Sequence, residues 1–442
     1  MNRREFVMSL AAAPLASASD GSPEALCRRP SQSGFGHELV GKALPPWKAG
    51  EFQVHFIYTG VAESMFWIMP DGTTMLLDCG DHPAITRGKK ALWTLPDGKR
   101  HAGEWIARYV SRVNPGKTDV DYLMISHHHA DHSGQDGWCS GTREWNGQTL
   151  SLSGILEAAE TLRFKRGFDR GWPSFDDPVP NERSDKVAFP HIRRTLAYLA
   201  ERDGLEMQKF HVGAVNQLSM LKAPDDFPAF RIVNISGNGK ILQKDGNVRD
   251  LYCGFRNARS VNENAMSLGL IVEYGPFRFY SAGDFSCRQK MGDGTVMDIE
   301  AELAREMAPV DVAKVNHHGH HSMSAELVAA LRARVWTACM WDQLHMTSDT
   351  LERLASRKSY EGPRLIAPCV FSPERRLEDA GKAFLEDIAP ESFDAGHVVL
   401  TVSPGGGGYS IAYVTADDES MRVTGAYEFV SACKDNLDGG KS

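Results

Sequence analysis

The run HHHADH at 127–132 puts three imidazoles, those of His127, His129 and His132, and the carboxylate of Asp131 within six residues. Imidazole nitrogen and carboxylate oxygen are the donors preferred by zinc and by first-row metals of similar hardness. The run follows VDYLMIS, 120–126, which has the composition of a strand. Alternate residues of an extended segment face the same way, so His127 and His129 can share one ion, while Asp131 and His132 can turn toward a second. One loop cannot close a shell around two ions, so further ligands must come from elsewhere in the chain. Asp284, in FYSAGD, and His345, a few residues after VWTACM, both follow strand-like runs. Gly283 is expected to let the backbone turn so that the Asp284 carboxylate points past the strand end. Ligands at the same end of several strands meet in space. A further cluster, NHHGHHSM at 316–323, surrounds Gly319 with histidines just ahead of a helix whose expected N-cap is Ser324. A helix start beside a glycine also suits an anion. A lone histidine or a single Gly-Asp pair is more often structural than functional, and the specific signal here is HxHxDH after a strand.

The elements that must position these groups are legible in outline. QVHFIY (53–58), MFWIM (65–69) and TMLLD (74–78) read as a meander of strands, with a turn at Pro70-Asp71-Gly72. A helix is predicted over 103–113, where Ile106, Tyr109, Val110 and Val113 recur at three- and four-residue spacing. From 135 to 230 the pattern weakens, apart from a helix near 191–202, and the segment reads as a loop-rich insertion that shapes a cleft. LIVEY, FRFYS, a helix over 298–307, DVAKV, a helix over 325–333 and VWTACM then repeat the strand and helix grammar of the first half. HVVLTV and YSIAYV form a hairpin on a Gly-rich loop, and 426–442 reads as a tail. Strands and helices in alternation point to a layered α/β chain.

The chain of 442 residues is 42% hydrophobic and 24% charged, the balance of a globular protein, and its net charge is −8. That charge argues against a long nucleic acid as partner, because such binding is carried by Lys and Arg. A small molecule or small phosphodiester held through metal ions is not opposed by it. Past the N-terminus no apolar run reaches the roughly 18 residues that a membrane helix needs. The N-terminal MNRREFVMSLAAAPLASASDG carries Arg3 and Arg4 ahead of Phe6 and a short apolar stretch ending Ala16-Ser17-Ala18. This is the arrangement of a twin-arginine signal peptide over 1–18, and it predicts export to the periplasm or beyond. Residues 19–50, rich in Ser, Pro and Gly, read as a linker. The eight cysteines contain no C-x-x-C pair, and Cys79 and Cys339 sit in apolar runs as buried small residues do.

HHHADH resembles the HxHxDH signature of the metallo-β-lactamase superfamily, and its surroundings resemble the hydrolase domain of ComEC-type competence proteins. SMFWIMPDGTTMLLDCG is similar to that family's opening strands, VDYLMISHHHADHSGQ to its metal loop, NENAMSLGLIVEYGPFRFYSAGD to the stretch before its bridging aspartate, and DVAKVNHHGHHSMS to its lysine and HHGS segment. The similarity spans about 53–350, with 135–230 least alike. It implies a four-layer αββα sandwich over 51–425 and a metal pair at one edge, zinc or another divalent metal such as manganese. It also implies that His127 and His129 bind one ion, that Asp131, His132 and His345 bind the other, and that Asp284 bridges. Asp131 or Asp284 would orient a metal-activated water, His317 or His318 would protonate the leaving group, and Lys314 would hold negative charge. The activity implied is phosphodiester hydrolysis, with lactamase-like or lactonase-like hydrolysis and a non-catalytic exported metal-binding protein as alternatives. Two departures stand out. Asn262, Glu263 and Asn264 occupy the stretch where the superfamily often has another histidine, and Ala62 and Glu63 replace a glycine-aspartate pair.

Overall fold

Alternation of apolar residues along the first strands sorts their side chains onto two faces. The computed structural model describes residues 36–83, 92–176, 187–253, 262–286, 289–290 and 296–432. In it Phe52, Val54, Phe56, Met65, Trp67, Met75, Tyr122 and Met124 enter one apolar cluster. Their neighbours Phe66, Ile68, Leu76 and Leu123 enter a second.

These strands belong to a nine-stranded mixed sheet. Its order is Val423–Val430, Gly408–Thr415, Gly396–Val402, Phe52–Phe56, Met65–Ile68, Thr74–Leu77, Asp119–Met124, Arg163–Asp169 and Glu206–Lys209. The late strand Gly396–Val402 pairs antiparallel with the first, Val54 opposite Leu400. An eight-stranded mixed sheet runs Val248–Asp250, Lys240–Leu242, Phe230–Gly237, Gly269–Tyr274, Phe277–Ala282, Val312–Lys314, Val335–Ala338 and Leu365–Pro368. The two sheets meet through aromatic rings, with Phe52 5.2 Å from Phe230 and Trp67 5.5 Å from Phe279 between centroids. Burying each such ring contributes roughly 1.5–3 kcal/mol.

Helices cover the sheets. Ala102–Val113 and Ala188–Asp203 bury Ile106, Val110, Ile192 and Leu196 in the second cluster, against the nine-stranded sheet. Ile299–Ala304, Ala325–Leu331 and Ser348–Ala355 send Leu303, Leu327, Val328 and Leu351 into the cluster that contains the eight-stranded sheet. Ser324 caps its helix as expected, its Oγ accepting from the Leu327 N–H at 3.2 Å. The chain is thus of mixed α/β class, built on two large mixed sheets. Among the described residues no helix is long and apolar enough to cross a membrane.

The expected insertion at 135–230 is not one throughout. Arg163–Asp169 and Glu206–Lys209 are strands of the nine-stranded sheet, parallel to Asp119–Met124, and the helix between them packs on that sheet. Arg163, Lys165 and Arg166 stand exposed along the first of these strands, and they hide its apolar alternation in the sequence. Part of the expected linker is also ordered: Gly41 N–H donates to Val423 O at 2.8 Å, and Leu44 N–H to Met421 O at 2.7 Å. The expected tail begins inside the strand Val423–Val430. The twin-arginine segment 1–18 lies outside the described residues.

Toward one edge of each sheet the strands run parallel, Leu77 beside Met124 in one and Ala313 beside Trp336 in the other. The loops that leave the C-terminal ends of these parallel strands carry the histidine and aspartate motifs.

Candidate metal centre

Three backbone contacts fix the loop after Asp119–Met124. Glu63 N–H donates to Asp131 O at 2.8 Å, Cys79 N–H to His132 O at 2.9 Å and Asp81 N–H to Ala130 O at 3.1 Å. Such an approach requires glycine at position 80, where a Cβ would lie 1.8 Å from Asp131 O. Asp78, at the end of Thr74–Leu77, has φ 59°. Its carboxylate accepts from Ser126 N–H at 2.7 Å, from Ser126 Oγ at 2.6 Å and from His132 Nδ1 at 2.8 Å. The last bond fixes a proton on His132 Nδ1 and turns Nε2 toward the centre; burial depresses this ring, yet Asp284 and Asp131 raise it well above the ordinary histidine value, so a metal ion there would displace the Nε2 proton.

His132 Nε2 lies 3.2 Å from Asp284 Oδ2, 3.3 Å from His318 Nε2 and 3.7 Å from Asp131 Oδ2. His318 Nε2 lies 3.1 Å from Asp131 Oδ2 and 3.3 Å from Asp284 Oδ2. His127 Nε2 is 2.9 Å from His129 Nδ1 and 3.9 Å from Asp284 Oδ2. Asp284 Oδ1 is buried and has no hydrogen-bond partner. Ligand atoms of Glu63, His132, Asp284 and His318, all buried, lie within 4.8 Å of one another, a set that could hold a metal ion. Imidazoles and carboxylates this close, with an orphaned carboxylate oxygen among them, suit a cation of the class that prefers N and O donors.

The electrostatics follow from crowding without water. Burial pushes the Asp131 and Asp284 carboxyls up, but His132 and His318 overcome it and hold both below the usual carboxylate range. Burial depresses His318, yet Asp284 and Asp131 raise it to about 10. His127 and His129 have less compensation, and burial holds both below the ordinary histidine value, as neutral rings with lone pairs.

Of the residues expected to bind metal, His127, His129, Asp131, His132 and Asp284 are brought together. His345 does not join the cluster. Its Nε2 lies 3.9 Å from Asp342, its ring packs beside His320 and Trp341, and its Nδ1 has no partner. The position beside Asp131 and Asp284 is taken by His318, expected instead as an acid. The cause is local backbone: His317 and His318 have φ 49° and 51°, followed by Gly319 at 75°. A left-handed conformation costs a non-glycine residue about 1–2 kcal/mol, and here it swings His318 inward, where its Nδ1 donates to Cys339 O at 3.1 Å.

His317 lines the cleft over the cluster, bonded to Asn264 Nδ2 at 3.2 Å and Ser286 Oγ at 2.9 Å, and burial lowers it to about 4. Lys314 is fully buried and does not reach the cleft. Its ammonium donates to Ala282 O at 2.7 Å and approaches Glu63 at 2.9 Å, fixing the strand end that presents Asp284. The expectation that Lys314 binds substrate charge is therefore corrected to a positioning role. Gly283 also acts differently from expectation. It has no left-handed φ, and it is needed for space, since a Cβ would lie 2.7 Å from Ser267 Oγ.

Glu63 and Asp78 are the groups that spacing alone does not single out. Glu63 shows in the sequence only as the acid of the altered Ala62-Glu63 pair. In the stretch expected to lack a ligand, Glu263 is bound twice by Arg170, at 2.6 Å each, and accepts from the His128 N–H at 3.0 Å. Asn264 lines the cleft with its Oδ1 buried and unpartnered. The cleft holds about 310 Å³, with Trp341 and Val187 on its walls. The described cysteines are free, and Cys79 and Cys339 are buried as expected. No family model matches the chain, and no curated protein matches it.

Proposed function

We propose that the chain is a metal-dependent hydrolase of the metallo-β-lactamase fold, acting on phosphodiester bonds of small substrates after export by a twin-arginine signal. The observation that carries this reading is the meeting of His132 Nε2, His318 Nε2 and Asp284 Oδ2 within 3.3 Å, beside Asp131 and the His127–His129 pair. The face-to-face sheets with helices over them are consistent with an αββα sandwich.

Two divalent ions, zinc or manganese, would be held by residues from among His127, His129, Asp131, His132, His318 and Asp284, and would supply Lewis acidity and an activated water. The protein's own groups do the rest. Asp131, ionised and at the cleft, orients the attacking water by accepting its proton bond. Asp284 is held in place by Lys314 beneath its strand and by Ser267 Oγ, which accepts from its N–H at 2.8 Å. His317, neutral, with Nδ1 tied to Ser286 Oγ and Nε2 accepting from Asn264 Nδ2, has no proton to give and positions the substrate, in place of the acid role expected of it; the leaving oxygen takes up the proton that the attacking water releases. Trp341 and Val187 narrow the access of bulk water. A cleft of about 310 Å³ and a net charge of −8 favour a compact substrate over a long polyanion.

The reading is tested by assaying bis-nitrophenyl phosphate, single-stranded DNA, a β-lactam and a lactone side by side with metal-loaded protein. Phosphodiester turnover that vanishes in Asp131→Ala, with the fold retained, is expected. Turnover of the lactam or lactone alone would reassign the substrate, and no turnover with any of the four would leave a metal-binding protein without hydrolytic activity.

A further inference from the structure

The cleft over the metal cluster has one wall built of rings. His317, His318, His320 and Trp341 line it. Between centroids, His317 lies 6.4 Å from His318 and 5.2 Å from His320, and His320 lies 6.3 Å from Trp341 with the two planes 10° apart. His82 lines the same cleft, 6.4 Å from Trp341 at 57°. Indole and imidazole thus make a corner beside the row of rings, within a space of about 310 Å³.

The half-buried indole is set by what surrounds it. The buried His345 ring packs beside it at 5.4 Å and 23°. The loop that carries both is pinned: Leu344 N–H donates to Asp342 Oδ1 at 2.7 Å, and Thr347 N–H to Gly319 O at 3.0 Å. Gly319 packs so closely on this loop that a Cβ there would lie 2.1 Å from Met346 Cγ. At the start of the loop, Cys339 O accepts from His318 Nδ1 at 3.1 Å, two residues before Trp341. Two residues of chain span at most about 7 Å, so the indole is rooted next to the ring that meets Asp131 and Asp284.

Such a wall selects for shape. Aromatic rings attract one another in offset-stacked or edge-to-face pairs, beyond what their buried area contributes. A saturated body of equal size gains only the burial.

We propose that Trp341, with His82 and His320, determines specificity by stacking a planar aromatic ring, so that the favoured diester carries an aryl or heteroaryl arm. This specificity rests on the reading of the cleft as the site of diester hydrolysis.

The experiment is calorimetric titration of the manganese-loaded full chain with phenylphosphonate, cyclohexylphosphonate and methylphosphonate, which share one metal-binding head. Phenylphosphonate is expected to bind at least about tenfold tighter than the methyl compound and at least about threefold tighter than the cyclohexyl one. Trp341→Leu should bring the phenyl compound to the cyclohexyl level, Trp341→Phe should keep most of the difference, and neither should change the metal content. Equal binding of the phenyl and cyclohexyl compounds, a preference untouched by Trp341→Leu, or no binding of any of the three would overturn the proposal. The comparison on the parent chain needs no variant and no turnover. A ring preference without diester turnover would therefore remove the hydrolysis and keep the ring site, whereas turnover without a ring preference would do the reverse.

Discussion

His132 Nδ1 and Asp78 Oδ2 are 2.8 Å apart, and neither side chain has any solvent exposure. The carboxylate therefore decides which nitrogen of the ring faces the centre. Asp78→Asn suits the left-handed backbone at this position but exchanges an acceptor-only group for one that also donates. Divalent-metal affinity should fall about 10–100-fold, read by calorimetric titration with zinc and with manganese, while the far-ultraviolet circular dichroism is kept. An affinity equal to that of the parent would remove Asp78 from the centre.

His318 and His345 separate two ligand sets. With Nε2 3.1 Å from Asp131, His318 should be required: His318→Ala is expected to lose at least tenfold in metal affinity. His345→Ala should change it by less than about threefold, since a ring outside the cluster removes no donor. The reverse ranking would restore His345 as the ligand.

Metal binding to a preformed cluster should also appear as stability. Adding zinc or manganese at about 100 times its dissociation constant contributes roughly 2.7 kcal/mol, and the melting temperature should rise by a few degrees and fall again with chelator. A scan indifferent to both metals and to chelator would count against any ion in this cluster.

Behind the metal loop, Arg170 and Glu263 are a buried pair, with side chains 1% and 5% exposed. Arg170→Met strands the carboxylate, at a cost of about 3–5 kcal/mol. Arg170→Met with Glu263→Leu should recover much of it in urea unfolding. A double variant no better than the single would show that the pair is not the source of the loss.

His55 and His397 predict acid sensitivity far from the centre. Burial lowers both to about 3, below the unfolded value of about 6.5. A depressed folded value means that the unfolded chain binds the proton first. The stability from these neutral rings is thus full above pH 6.5 and is lost as pH falls from there toward 3. His397 Nδ1 accepts from the Tyr58 N–H at 3.1 Å, an acceptor that Asn can replace. His397→Asn should flatten the decline by up to about 1.4 kcal/mol per pH unit between pH 6 and 4. Parallel stability profiles would sink this account.

The centre was legible in the sequence where its ligands share one loop or one strand end, as with His127, His129, Asp131, His132 and Asp284. The exchange of His345 for His318 was not, because it depends on left-handed backbone at His317 and His318, which bulky side chains do not announce. Glu63 was visible only as an irregular acid, since its partner Lys314 lies on a distant strand and nothing local links them. In the fold, strands with one apolar face read clearly. Arg163–Asp169 was hidden by its exposed charges, and Phe230–Gly237, with Arg231 exposed and Asn234 buried, by a mixed pattern. Asn234 is buried because its amide donates to His211 O at 3.0 Å and to Gln217 at 2.9 Å, partners that no local pattern reveals.

The pairing of Phe52–Phe56 with Gly396–Val402 also sets a schedule. A ribosome delivers the first of these strands long before the second, so the emerging chain carries one strand with an unpaired edge until its final segments appear. Such an edge is a template for the wrong neighbour, and closing it across so long a separation is slow. A chain cut short before residue 396 would keep every one of its metal-binding motifs yet leave this edge bare. Full-length synthesis, more than possession of the ligands, is then the condition for a rigid sheet beneath them.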